Sequence, residues 1–348
     1  MRLITVFLLA LLFTSYSVGQ DTPTLIPDDP TGLDTPTDGP PDLDTETLTP
    51  PSDDLISEAP NIGDKLQAIA TRALVESGEG VLTNGFIIEG SGEKTVVIAA
   101  KGPSFQSADV PNTLQDPFLR LYQFNTSTNT FEEIESNDDW ETGLSDADRA
   151  VLDANNFTFS NSLESVIVRS LPAGAYTAQV EGKTTNGVAD EGVGLAEVYD
   201  FDTASVSKIT ALATRVFAGT GADSLNGGFI IAGDSVRTVA IRASGPSLSS
   251  FVSNPLADPF LAVNRYNTTT LQFEPVLLNG TPATNDNWET GLSGADRTLL
   301  ETNNFTPTNS LESILVLDLE PGAYTGVITG ADNGTGIALI EVYDYTTE

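Results

Sequence analysis

Two short segments concentrate the oxygen-bearing side chains that a hard cation requires. They are Asn137-Asp138-Asp139 and Asn285-Asp286-Asn287, each followed by a tryptophan, Trp140 and Trp288. Calcium takes several oxygen ligands at once from a compact loop, and Glu141 and Glu289 lie just beyond. Asp116 and Asp258, each before a proline, could approach the same rim. The same residue types also perform ordinary turn chemistry, bonding their own backbone. Asp139 is replaced by Asn287 in the second segment, so the first carries more charge and is the better calcium candidate. Trp140 and Trp288 are the only tryptophans and suggest a second chemistry, a stacking platform for a sugar ring. Packed as plugs, they would instead anchor the acidic loops.

Other chemistry is narrowed by what the chain lacks. With no histidine and no cysteine, Ser-His-Asp and Cys-His catalysis are excluded, as are histidine general bases and thiolate or imidazole metal sites. Gly233-Asp-Ser235 has no histidine to activate its serine. Asp202-Thr-Ala204 resembles an aspartic-protease loop, but its counterpart Tyr345-Thr-Thr347 has no aspartate. Gly219-Thr-Gly221 lacks the third glycine of a dinucleotide turn. A pair of carboxylates, as in a glycoside hydrolase, is the one catalytic option left. Carboxylates are so abundant here that their presence carries little information, and the expectation is a protein that is not an enzyme, with no certain cofactor beyond possible calcium.

The elements that position these residues come in two copies. Asp116-Pro-Phe-Leu119, Asn137-Asp-Asp-Trp140, Gly174-Ala-Tyr-Thr177 and Glu197-Val-Tyr-Asp200 recur as Asp258-Pro-Phe-Leu261, Asn285-Asp-Asn-Trp288, Gly322-Ala-Tyr-Thr325 and Glu341-Val-Tyr-Asp344. Asp116 maps to Asp258, Trp140 to Trp288 and Glu197 to Glu341, offsets of 142, 148 and 144 residues. The drift places length changes in loops, and the period is that of a domain rather than a solenoid unit. Short apolar runs such as Thr95–Ala100, Ser165–Arg169 and Leu195–Tyr199 alternate with turn residues, which predicts antiparallel strands in a sandwich or barrel. One short helix per copy is expected at Asp146–Ala154 and Gly294–Thr302, after Ser145 and Ser293 as N-caps.

The ordered motifs Asp-Pro-x-Leu, Asn-Asp-x-Trp, Pro-x-Gly-x-Tyr-Thr and Glu-Val-Tyr-Asp resemble a tandem repeat module of secreted bacterial proteins. More distantly they are similar to the bacterial pre-peptidase C-terminal domain. The resemblance implies two homologous antiparallel β-sandwich, jelly-roll-like domains, over 64–202 and 207–346, joined near Thr203–Ser207. It also implies an accessory or binding role and a capacity of loop Asp and Asn to hold calcium. Two domains joined by a linker would yield two protease-resistant fragments of similar size.

The chain ends and the charge complete the reading. Met1-Arg2, an apolar run from Leu3 to Phe13 and small residues up to Gly19 predict a signal peptide over 1–19. Residues 20–60 are rich in Asp, Thr and Pro, without Lys or Arg, and predict a disordered stalk. With 15 basic against 49 acidic residues, a net of −34, nucleic acid and anionic membranes are excluded as partners. The expectation is a secreted or cell-surface structural or adhesive module whose partner is an extracellular polymer or surface protein, with polysaccharide binding as the alternative.

Overall fold

The computed structural model describes residues 65–346, apart from 108–109, 111 and 203–204. The signal peptide and stalk expected over 1–60 lie outside the described residues. In the first repeat the chain runs through β1 (Lys65–Val75), β2 (Leu82–Glu89), β3 (Lys94–Lys101), β4 (Pro117–Asn125) and β5 (Thr130–Asn137). Then follow α1 (Asp146–Ala154), β6 (Ser165–Leu171), β7 (Gly174–Gly182), the hairpin β8 (Thr184–Thr185) and β9 (Val188–Ala189), and β10 (Gly192–Asp200). The second repeat comprises β11 (Lys208–Ala218), β12 (Leu225–Ala232), β13 (Arg237–Ser244), β14 (Pro259–Asn267) and β15 (Gln272–Pro275). After these come β16 (Leu277–Leu278), β17 (Thr281–Pro282), β18 (Thr284–Asn285), α2 (Gly294–Thr302), β19 (Ser313–Leu319), β20 (Gly322–Gly330) and β21 (Gly336–Asp344).

The fold class is all-β, as expected. Within the first repeat the strands pair antiparallel in the orders β1-β10-β3-β6 and β2-β7-β4-β5. The second repeat reproduces them as β11-β21-β13-β19 and β12-β20-β14, with β15 and β18 sharing the last position. This is the strand order of a jelly roll. Both helices occupy the expected residues, and Ser145 and Ser293 each close a capping box, with Asp148 and Asp296. β5 escaped the sequence reading because Glu132, Glu133 and Glu135 mask its alternation; it lies at a sheet edge where such charges are tolerated.

The sequence did not reveal that the two sandwiches share their sheets. β1 pairs not only with β10 but also, antiparallel, with β12 of the second repeat, from Lys65↔Ala232 to Arg72↔Asn226. Reciprocally, β11 pairs with β21 and with β2, at Lys208↔Glu89 and Ile209↔Ile88. Each repeat therefore covers two exposed edges of the other, which removes strand borders that would otherwise invite association. β1 and β11 also meet in parallel, Leu66 opposite Ile209 and Leu74 opposite Phe217, so equivalent positions face each other across a pseudo-twofold axis. One apolar core runs through both halves, including Leu66, Phe86 and Tyr176 from the first and Leu212, Phe229 and Tyr324 from the second.

Two recurring motifs are explained by local packing. A Cβ on Gly102 would stand 1.9 Å from the carbonyl oxygen of Leu114, and one on Gly245 2.1 Å from that of Leu256. Only glycine permits that approach at the start of Gly-Pro-Ser. In Gly-Ala-Tyr-Thr, Tyr176 stacks on Phe86 at 5.3 Å and donates its hydroxyl to the Pro172 carbonyl at 2.7 Å. Tyr324 repeats this with Phe229 and the Glu320 carbonyl. Burial pushes the Tyr176 hydroxyl up to about 12.

Candidate functional site

The acidic rim is built where β4 begins, β5 ends and β6 begins. Asn137 closes the loop after β5. Its Nδ2 donates to the carbonyls of Asp139 (3.2 Å) and Thr142 (3.0 Å), and its Oδ1 accepts the Val166 N–H at 2.9 Å. Asn285 makes the same three bonds to Asn287, Thr290 and Ile314. Both amides are thus used in holding the loop to the edge of β6 or β19. The Asp139 and Asn287 carbonyls also accept from Thr142 and Thr290, and Asn287 Nδ2 donates to Asp286 at 3.2 Å.

The tryptophans are half-buried. Trp140 stacks on Phe159 at 5.4 Å, with the Arg149 guanidinium 5.8 Å from its ring. Trp288 packs at the margin of a second-repeat cluster that includes Leu300 and Phe305, with Arg297 at 5.1 Å. Arg149 and Arg297 also donate to the carbonyls of Glu141 and Glu289. Both indole N–H groups are buried without a partner. These contacts turn the rings toward the protein's own interior and fit the loop-anchoring role.

Asp116 and Asp138 are brought together, as the sequence suggested, but around a group it did not single out. Lys183 Nζ lies 2.5 Å from Asp138 Oδ2 and 3.7 Å from Asp116 Oδ2. That hydrogen bond raises the Lys183 ammonium above its ordinary value. The second repeat keeps the carboxylates and loses the cation. Lys183 N–H donates to the Asp116 carbonyl at 2.8 Å, and in its place Ala331 donates to the Asp258 carbonyl at 2.9 Å. Burial raises the Asp258 carboxyl, and the nearby Asp286 and Asp332 charges raise it further. Asp258 Oδ1 and Asp286 Oδ1 are both buried without a partner, as are Asp116 Oδ1 and Asp138 Oδ1 in the first repeat. No group of three or more acidic side chains among the described residues is gathered closely enough to hold a metal ion.

Glu-Val-Tyr-Asp serves a different purpose, a ladder of buried ion pairs along β10 and β21. Glu197 pairs with Lys101 at 3.2 Å and accepts from the Tyr199 hydroxyl at 2.8 Å. Glu341 pairs with Arg242 at 2.5 Å and accepts from Tyr343 at 3.2 Å. The cation above lies over an aromatic ring, Lys101 over Phe157 at 4.7 Å and Arg242 over Phe305 at 4.2 Å. Each repeat buries a further carboxyl, Glu164 or Glu312, whose Oε1 accepts the N–H of Ser104 or Ser247. Burial raises Glu164. These residues were missed, although Ser162-Leu-Glu-Ser165 recurs as Ser310-Leu-Glu-Ser313 and was a readable signal.

A cavity of about 480 Å³ lies beside β19, lined among others by Leu278, Ala283, Asn285, Leu292, Asp296 and Ile314. It adjoins the β16–β17 hairpin, whose insertion accounts for the jump in repeat offset. In the first repeat Arg169 of β6 pairs with Glu135 of β5. Among the described residues no helix is long and apolar enough to cross a membrane. No protein-family model matches the chain, and no curated protein matches it either.

Proposed function

We propose that this is an exported, non-enzymatic structural or adhesive module that acts at the cell surface or outside the cell on an extracellular polymer or surface protein. The observation that carries the reading is the sharing of sheets between the repeats. It fixes two equivalent rims on one body, so that two weak contacts act with the avidity of one strong one. The repeated motif residues support it, because their side chains are engaged with each other: Glu197 with Lys101, Glu341 with Arg242, Asn137 and Asn285 with their own loops. Immobilised protein is exposed to surface extracts of its own host. Retention of one polymer or protein, weakened by altering either rim and lost on altering both, is the expected result. Turnover of glycoside substrates would replace this reading with the carboxylate-hydrolase one. Polysaccharide binding through Trp140 and Trp288 predicts a shift of their emission on adding glycans.

Calcium is the second reading, and the rim geometry favours the second repeat for it. Lys183 already supplies a cation to Asp116 and Asp138, whereas Ala331 stands in its place beside Asp258 and Asp286; a buried Oδ1 without a partner is common to all four aspartates. Extracellular sites of this kind bind at about 0.1–1 mM, and calcium at 100 times its dissociation constant adds about 2.7 kcal/mol to folding. The melting temperature is expected to rise with calcium and fall with chelator. Asp286→Asn removes the response and Asp138→Asn leaves it. A response lost only in Asp138→Asn would return the site to the first repeat, and no response in the parent would remove it.

A further inference from the structure

Asp200, the last residue of β10, is fully buried and held by two lysines. Lys65 Nζ stands 2.6 Å from its Oδ2, and Lys94 Nζ stands 3.2 Å from its Oδ1. Lys65 is 6% exposed and Lys94 1%. Lys94 is fixed further by donating to the Asp202 carbonyl at 2.9 Å. The second repeat treats the same aspartate differently. There Arg237 holds Asp344 through Nε and Nη2 at 2.8 and 2.6 Å. A guanidinium stays protonated and is no nucleophile, whereas a buried lysine sheds its proton readily. Burial is the largest influence and lowers Lys65 on balance, against the opposing pull of the Asp200 carboxylate and with Lys94 acting in the same direction as burial.

We propose that Lys65 Nζ and Asp200 Cγ condense into an intramolecular amide that ties the first strand of repeat one to its last. The neutral Lys65 amine attacks Cγ and the C–N bond forms. The Lys94 ammonium, on Oδ1, gives one proton to that oxygen, and the attacking nitrogen supplies the second. The C–O bond then breaks and water leaves. One amine, one carboxylate and one ammonium become one amide, one water and one neutral Lys94. The reaction replaces buried charges, costly to desolvate, with a neutral group, and needs no oxidant in a chain without cysteine. Lys65 opens β1, the strand bonded to both β10 and β12. An amide there would carry tension applied upstream of residue 65 instead of letting β1 peel away.

The test is peptide mapping of the purified full chain by mass spectrometry after denaturation. The expected product is a branched peptide joining Lys65 to Asp200, lighter by one water than its two parts. Lys65→Arg should yield only linear peptides. Linear peptides alone from the parent chain would overturn the proposal, as would a branch at Lys94 or between Lys101 and Glu197. Because the parent chain decides the matter, a poorly folding variant does not obscure the result.

Discussion

Beside Lys101 in the first repeat and Arg242 in the second, two buried carboxyls face one cation. Glu164 and Glu197 share Lys101, while Glu312 and Glu341 share Arg242. Burial raises Glu164 and Glu341 above the ordinary 4.5. A carboxyl whose folded value exceeds its unfolded one contributes stability that is complete below the unfolded value and lost as pH rises through the folded value. Glu164→Gln keeps an acceptor at Oε1 for the Gly102 and Ser104 N–H groups and removes the ionisation. The variant should gain stability relative to the parent as pH rises from below 4.5 to neutrality. Urea unfolding at several pH values checks this, and parallel curves would mean that Glu164 ionises at no cost to the fold. The asparagines of Asn125, Asn156, Asn267, Asn279, Asn304 and Asn333 are turn residues. Four of them, Asn156, Asn279, Asn304 and Asn333, adopt the left-handed conformation, and Asn125 and Asn267 accept backbone N–H groups two residues on.

At the level of elements, the junction between repeats combines packing with a short buried polar chain. Thr71 Oγ1 and Thr214 Oγ1 are 2.7 Å apart, Thr214 donates to Asn84 Oδ1 at 2.7 Å, and Asn84 donates to the Ala196 carbonyl at 3.1 Å. The second repeat fills the equivalent space with hydrocarbon. Gly227 stands where Asn84 would be, and a Cβ there would meet the Ile340 side chain at 2.8 Å. Thr214→Val keeps the shape and deletes the hydroxyl, leaving Thr71 and Asn84 with unmet bonds. A loss of about 1–3 kcal/mol is expected, read as a lower urea midpoint with an unchanged slope. A change under a few tenths of a kcal/mol would mean that water reaches the junction.

For the molecule as a whole, sheets run from one repeat into the other and the apolar core is common to both, so the two repeats are expected to unfold as one unit. Limited proteolysis is therefore expected to leave a single resistant body covering both repeats, in place of the two fragments that a linker near Thr203–Ser207 would give. The residues on either side of the connection are tied down: Asp202 accepts the Thr95 N–H, and Ser207 donates to the Gly92 carbonyl. Thermal unfolding should show one transition, coincident by tryptophan fluorescence and far-ultraviolet circular dichroism. Two separated transitions, or cleavage between residues 200 and 208 that leaves stable halves, would show that the shared strands contribute little.

The sequence determined the local features of this protein. Strand alternation and the Ser145 and Ser293 caps depend on neighbours within a few positions, so both helices and the antiparallel β class could be read without coordinates, while the jelly-roll form was implied by the resemblance of the motifs. That Asp116 could approach the rim of the Asn137–Asp139 loop was also legible, because both copies repeat the two motifs. The tertiary structure decided what depends on distant partners. Lys183 reaches the rim from the far end of β7, and nothing in its surrounding residues announces that. The ion pairs of Glu197 with Lys101 and of Asp200 with Lys65 join residues 96 and 135 positions apart in the chain. The sharing of β1 and β11 was hidden for a related reason. A strand alternates in the same way whether its second edge meets water, its own repeat or the other one, because backbone hydrogen bonds leave no mark on side-chain identity.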